Sequence, residues 1–325
     1  MDEKLFEQRI DLTQLSKAVT DIRSEIGRVI VGQYKMVDLL LIGLLCDGHL
    51  LIEGVPGVAK TLTAKLMAKI IDIGFSRIQF TPDLMPSDVL GTSVFNPKAA
   101  EFQFKQGPIF SNIILIDEIN RAPAKTQSAL FEVMEERQVT IDGVTHAMDF
   151  PFIVLATQNP IEQEGTYRLP EAQLDRFLFK IEVKYPSLSE EVSILINQHA
   201  QTQTALLDNV NKILSAQQIA QYRQIIQSII IEHKLVEFIA KIVNETRNNS
   251  SLYLGASPRA SLAILRSSKA NAAIKGRDFV TPEDIVEMAA PVMRHRIILT
   301  PEKEMEGVTA DELIESIIKN IEVPR

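Results

Sequence analysis

The chain has 325 residues, enough for two domains, and its 46% hydrophobic and 23% charged content is ordinary for a soluble globular protein. The most apolar run, residues 37–46, is too short to span a bilayer and is interrupted by Asp38, so no membrane span is expected. A net charge of −8 gives no global attraction to nucleic acid, and the single Cys46 rules out an intramolecular disulfide. No secretory signal is visible at Met1-Asp2-Glu3-Lys4, so we expect a cytoplasmic protein.

In chain order, Leu5, Leu12, Leu15, Val19, Ile22 and Ile26 recur at helical spacing over residues 5–29, with a possible break near Asp11. The segment Val29-Ile30-Val31-Gly32-Gln33 leads into a second helix, whose apolar pattern makes Cys46 an inert buried thiol. This segment either packs as core or walls a purine base, with Val31 and Gly32 as contacts. Next, His49-Leu50-Leu51-Ile52-Glu53 reads as a strand, and Leu62, Leu66, Ala68 and Ile70 read as one helix face. Between them runs Gly54-Val55-Pro56-Gly57-Val58-Ala59-Lys60-Thr61. A strand, a glycine loop and a helix start form a phosphate cradle. Backbone N–H groups turn inward, the helix N-terminus adds positive potential, Lys60 reaches terminal phosphates and Thr61 can bind Mg²⁺. The usual G-x-x-x-x-G-K-[ST] pattern has glycine where this chain has Ala59.

Further strands are expected at residues 75–80, 112–116, 152–157 and 177–183, with a helix over 123–136. This alternation argues for a mostly parallel sheet covered on both faces. The excursion 81–108 holds a short helix and the strand-like Glu101-Phe102-Gln103-Phe104-Lys105. Residues 138–149 carry a hairpin on Asp142-Gly143, a pair suited to a type I′ turn. Both look appended to the sheet. In Ile113-Ile114-Leu115-Ile116-Asp117-Glu118, four aliphatic residues deliver two carboxylates to the strand end where ligands of parallel sheets bind. Behind a phosphate loop, Asp117 suits the Mg²⁺ shell and Glu118 suits polarising a water.

Three features carry two readings each. Asn159, in Ala156-Thr157-Gln158-Asn159-Pro160, is turn chemistry or a water-orienting amide. Arg176, in Leu174-Asp175-Arg176-Phe177, is a surface arginine or a finger reaching a neighbouring subunit. Arg259, in Gly255-Ala256-Ser257-Pro258-Arg259, is a helix-start arginine or a phosphate contact. A cation there opposes the helix dipole unless an anion is close. After Pro186 the pattern turns helical, with helices expected at 189–203, 215–228, 234–248, 258–274 and 282–290. Ser257-Pro258 and Thr281-Pro282 mark two clean helix starts.

As an ordered set, Gly54 to Thr61, Ile113 to Glu118, Asn159, Arg176 and Arg259 resemble the Walker A, Walker B, sensor 1, arginine finger and sensor 2 of AAA+ ATPases. Residues 81–108 resemble a helix-2 insert, and 138–149 resemble the hairpin before sensor 1. Ile30-Val31-Gly32-Gln33, the loop with Ala59, Asp117-Glu118-Ile119-Asn120-Arg121-Ala122, and Leu169-Pro170-Glu171-Ala172-Gln173-Leu174-Asp175-Arg176-Phe177 are similar to the MoxR family. The resemblance covers about residues 20–300.

It implies an α/β P-loop core with a parallel five-stranded sheet over residues 1–186 and a smaller all-α lid over 187–325. It implies ATP and Mg²⁺ as cofactors. The nucleotide contacts would be Val31, Gly32, Gly54, Val55, Pro56, Gly57, Val58, Ala59, Lys60, Thr61, Leu62, Asp117 and Arg259. Thr61 and Asp117 would hold the metal. Lys60, Glu118, Asn159, Arg176 and Arg259 would carry catalysis, Arg259 acting in cis or in trans. It also implies a homo-oligomeric, often hexameric ring that remodels, matures or activates client proteins, often beside a von Willebrand factor A domain protein. Two rivals stand: a DNA-directed motor, disfavoured by an acidic chain with no DNA-binding module, and an ATP-sensing scaffold with little turnover, disfavoured by the intact Asp117-Glu118 pair.

Overall fold

The computed structural model describes residues 9–55, 57–159, 167, 169–200 and 210–324. Pro56 and Pro160, the expected helical residues 5–8 and 201–203, and Met1-Asp2-Glu3-Lys4 lie outside the described residues. The elements of the first half are α1 (Thr13–Gly27), α2 (Tyr34–Leu45), β1 (His49–Gly54), α3 (Lys60–Ile71), β2 (Phe75–Gln79), α4 (Pro86–Leu90), β3 (Gly91–Asn96), β4 (Glu101–Gln106), β5 (Ile113–Asp117), α5 (Ala124–Glu136), β6 (Gln138–Ile141), β7 (Val144–Ala147), β8 (Ile153–Gln158), α6 (Glu171–Leu174) and β9 (Phe177–Val183).

Five strands form one parallel sheet in the order β2-β5-β8-β1-β9. The central strands β5 and β8 are apolar runs because both faces are covered, while the edge strand β2 carries Ser76, Arg77 and Gln79. Alternate residues serve opposite layers. Leu50, Ile52, Leu115 and Leu155 join the apolar cluster under α1, α2 and α3. Leu51, Ile114, Ile116 and Val154 join the cluster under α5. The crossovers between parallel strands bring every strand's C-terminal end to one edge, and the sites read from the sequence sit at strand ends.

The two appended hairpins are separate two-stranded sheets, β3-β4 and β6-β7. Asp142 and Gly143 both have positive φ, as the type I′ reading requires. The hairpins meet where Phe104 and His146 stack with ring centroids 4.5 Å apart. At the N-terminus, Asp11 accepts from the Thr13 N–H at 2.9 Å, and the helix begins there rather than running through.

Beyond β9 come α7 (Leu188–Ala200) and helices at Ala216–Gln227, His233–Asn248, Pro258–Ile274, Pro282–Met293, Pro301–Met305 and Ala310–Lys319. Ser257 caps its helix by accepting from the Arg259 N–H at 3.2 Å. The helical expectation needs one amendment: Leu252–Leu254 and Ile298–Leu299 pair antiparallel as a small ribbon. Asp284 is fully buried and fixes this half. It takes both Arg277 terminal nitrogens at 2.7 and 2.6 Å, Asn271 at 3.0 Å and the Thr281 N–H at 2.9 Å. The cluster under α1–α3 continues without a break into these helices through Ile219, Ile239, Ile264, Ile285 and Ile314.

Candidate functional site

The phosphate loop leaves β1 at Gly54, where a Cβ would lie 2.8 Å from the Val183 carbonyl oxygen of β9, so only glycine fits. Val58 is buried and anchors the loop to the core, while Val55 packs partly against it. Gly57 turns at φ +87°. Ala59 adopts φ 61° and ψ 18°, the left-handed conformation that explains why glycine is usual at this place. An alanine there costs about 1 kcal/mol or more. Its carbonyl accepts from both the N–H and the hydroxyl of Thr63, each at 2.9 Å, which starts α3. Lys60 folds back so that Nζ donates to the Gly54 carbonyl at 2.5 Å. Burial pushes the Lys60 ammonium below its ordinary pKa, and Asp117, Glu118 and Glu53 pull it back up. Thr61 and Leu62 follow in the first turn of α3, both half-buried.

β5 and β1 flank β8, so the two motifs lie two strand spacings apart, roughly 10 Å. Asp117 is buried. Its Oδ2 takes Arg77 Nε at 2.6 Å, and its Oδ1 takes the Thr157 hydroxyl at 3.3 Å. The same hydroxyl accepts the Glu118 N–H at 3.0 Å, so Thr157 on β8 ties the carboxylate pair to the middle strand. Glu118 sits at φ 57°, a left-handed turn that lifts its side chain off the strand direction. Its Oε2 is gripped by Gln79 Nε2 at 2.8 Å and by Arg121 at 3.0 Å. Asn159 follows β8 directly, at the same edge.

Arg77 and Gln79 escaped the sequence reading. The available signal was two polar residues at i and i+2 on one strand, therefore on one face, beside Asp117 in register.

The two arginines lie elsewhere. α5 runs back along the sheet, and Glu135 stands roughly 16 Å down its axis from Ala124. There Met134 O bonds His49 Nε2 at 3.0 Å, and Arg137 donates to Phe152 O and Asp47 O, all at the starts of β1 and β8. This is the edge opposite the phosphate loop. Arg176, just ahead of β9, places Nε 3.6 Å from Glu135 Oε2, with its guanidinium over the Phe131 ring at 5.9 Å. Arg259 donates to Glu135 Oε1 at 3.0 Å. The anion that the Arg259 position calls for is therefore a carboxylate of the same chain.

Next to Arg176, Asp175 accepts from Arg296 Nε at 2.7 Å and from the Ser257 hydroxyl at 2.9 Å. Arg296 is nearly buried, and its other donors take the carbonyls of Asp175, Phe177, Leu178 and Val292. Burial lowers its pKa, and Asp175 opposes the shift.

Gly32 lies beneath Glu190 of α7, where a Cβ would meet the Glu190 carboxylate. The cavity it shares with Ile26, Ile30, Tyr34 and Val37 measures about 10 Å³, room for one water. Neighbouring Val31 is half-buried.

For Mg²⁺, the Thr61 hydroxyl and the Asp117 carboxylate are the hard oxygen donors this ion takes alongside phosphate oxygens and water. Asp117 Oδ1, held among the described residues by the Thr157 hydroxyl at 3.3 Å, is the oxygen that can turn to it. The residues fit the ion.

Residues 49–179 match the family described as "ATPase family associated with various cellular activities (AAA)", and residues 244–317 match "AAA lid domain". The chain is 44% identical to "Chaperone MoxR1" of Mycobacterium tuberculosis, over 93% of this chain and 81% of that protein. It is 30% identical to "Protein MoxR" of Paracoccus denitrificans, over 94% and 96%.

The chain belongs to the MoxR family of AAA+ ATPases.

A crystal structure of a putative ATPase from Cytophaga hutchinsonii, 43% identical, superposes with a TM-score of 0.88 over 96% of this chain and 97% of that one. The α/β core with its helical lid is thus the AAA+ fold, and this MoxR chain is an ATPase. Among the described residues no helix is long and apolar enough to cross a membrane.

Proposed function

We propose that this MoxR protein hydrolyses Mg–ATP to remodel, mature or activate partner proteins; its Mycobacterium tuberculosis relative carries the name "Chaperone MoxR1". The observation that carries the reading is the convergence of Lys60, Asp117, Glu118 and Thr157 at one sheet edge. Backbone N–H groups from Gly57 to Thr61 and the Lys60 ammonium bind phosphates. Thr61 and Asp117 would hold Mg²⁺, which supplies charge neutralisation at the phosphate oxygens. Glu118 accepts a proton from the attacking water, and Asn159 orients that water. Val31, Gly32, Val55, Val58 and Leu62 flank the nucleotide.

Arg176 and Arg259 lie at the opposite edge from their own chain's phosphate loop. We therefore assign both to the nucleotide of a neighbouring subunit, with Arg259 acting in trans. That assignment makes a homo-oligomeric ring, a hexamer in our reading, the working unit. The division into a core to residue 186 and a lid beyond it, a cytoplasmic setting and a von Willebrand factor A domain partner belong to the same proposal.

Glu118→Gln should bind ATP with near-native affinity and hydrolyse it at least about 100-fold more slowly. Near-normal turnover removes Glu118 from the mechanism. Arg176→Ala should lose turnover with affinity intact and regain activity when mixed with Lys60→Ala subunits. Absence of recovery refutes action in trans.

A further inference from the structure

We propose that Glu135 is a positioning residue for the arginine pair: one carboxylate holds Arg176 and Arg259 side by side, so that both meet the adjoining subunit's nucleotide together. The inference rests on the trans role proposed above for the two arginines.

Each Glu135 oxygen takes one of them, Oε1 from Arg259 at 3.0 Å and Oε2 near Arg176 at 3.6 Å. A guanidinium has five N–H donors; Glu135 accepts from one on Arg259 and stands in ion-pair contact with Arg176. Among the described residues this leaves donors on both arginines for phosphate oxygens. Without the carboxylate between them, two cations this close repel one another and part.

Helix stability does not account for the arrangement. Glu135 stands in the last turn of α5, where a carboxylate opposes the macrodipole, and Arg259 stands in the first turn of its helix, where a cation opposes it. Each misplacement is relieved by the other. All three side chains are a third to a half exposed, so the ion pairs add little stability.

The backbones are already tied elsewhere. Asp175, which precedes Arg176, is bound to Ser257, which lies two residues before Arg259. That bond sets the spacing of the two chain segments. The orientation of the two guanidinium tips is left to Glu135, with Phe131 supporting Arg176 from below. A common anchor also means that the core arginine and the helical-half arginine arrive as one unit.

The test uses the full-length protein. Glu135→Ala should leave ATP binding within twofold and thermal stability nearly unchanged, while kcat falls roughly ten- to hundredfold, the scale of a misplaced catalytic group. KM should change little, because the subunit's own phosphate loop lies at the opposite edge. Glu135→Asp, which keeps the charge, should restore part of kcat. Mixing Glu135→Ala with Lys60→Ala subunits should restore activity, since the Lys60→Ala subunit brings an intact pair. In an Arg259→Ala background, Glu135→Ala should slow turnover less than it does alone.

Full kcat in Glu135→Ala, where Arg176→Ala is inactive and rescued by mixing, overturns the positioning role and leaves the trans reading standing. Fully multiplicative effects of Glu135→Ala and Arg259→Ala overturn it as well. If mixing rescues neither Arg176→Ala nor Glu135→Ala, the trans reading fails and the inference falls with it.

Discussion

Asp175→Asn tests the joint between the sheet and the helical half. The substitution keeps size and one acceptor oxygen but removes the charge opposite Arg296, whose side chain is 4% exposed. Breaking a buried ion pair by neutralising one partner costs about 3–5 kcal/mol. Asp175 is 20% exposed, and Arg296 keeps its carbonyl partners, so the lower end, about 3 kcal/mol, applies. At about 1.5 °C per kcal/mol for a chain of 325 residues, the melting temperature should fall by roughly 4–5 °C. Ser257→Ala, which removes the hydroxyl bond to the same carboxylate and the N-cap acceptor for the Arg259 N–H, should cost about 2 kcal/mol. Thermal melts followed by circular dichroism measure both, and ATP turnover below the transition reports on Arg176 next door. A loss under about 2 °C for Asp175→Asn would refute the claim that this buried pair holds the two halves in register.

The Asp284→Ala variant removes the carboxylate that pairs with Arg277, leaves Asn271 its bond to Glu287, and should lose about 3–5 kcal/mol by urea unfolding. A loss below about 1 kcal/mol would show the cluster to be dispensable. Burial lowers the His49 pKa to about 3 and pushes His295 well below its usual value, so both stay neutral when folded and protonate near pH 6.5 when unfolded. Protons added below pH 6.5 go to the unfolded state, so stability falls with pH, at a slope nearing about 2.7 kcal/mol per unit for the two groups. An equal urea midpoint at pH 7 and pH 5.5 would contradict this. Arg77→Met removes the cation 2.6 Å from Asp117 and should lower the Mg²⁺ concentration for half-maximal hydrolysis several-fold, and an increase would oppose the competition argument.

The parallel strands were legible because a strand buried on both faces is a plain aliphatic run, as in Ile113 to Ile116. Ser257-Pro258 and Thr281-Pro282 fixed two helix starts for similarly local reasons. The helix Ala310–Lys319 was missed although its capping box, Thr309 with Glu312, and its stripe of Leu313, Ile314, Ile317 and Ile318 are local signals. The ribbon at Leu252–Leu254 is too short to register without its distant partner. At the site, the carboxylates and the loop were readable from spacing. The sharing of Glu135 by Arg176 and Arg259 was not, since Arg259 stands 124 residues from it. Nor was Arg296, whose partners apart from Val292 are the Asp175 carboxylate and carbonyls more than a hundred residues away.

The unbroken aliphatic cluster that runs from the sheet into the helices sets a limit on motion. α1 and α2 pack against the helices Ala216–Gln227 and Pro258–Ile274, so prising the halves apart would wet apolar side chains along those contacts, each worth about 1.5–3 kcal/mol of burial. A handful of such exposures consumes more free energy than the few kcal/mol that commonly separate two working conformations. A change of nucleotide state is therefore less costly as movement of one whole chain against its neighbour than as a hinge opening within a chain. The arginine pair, carried on a body that stays closed, would register that movement as a change in its distance from the next subunit.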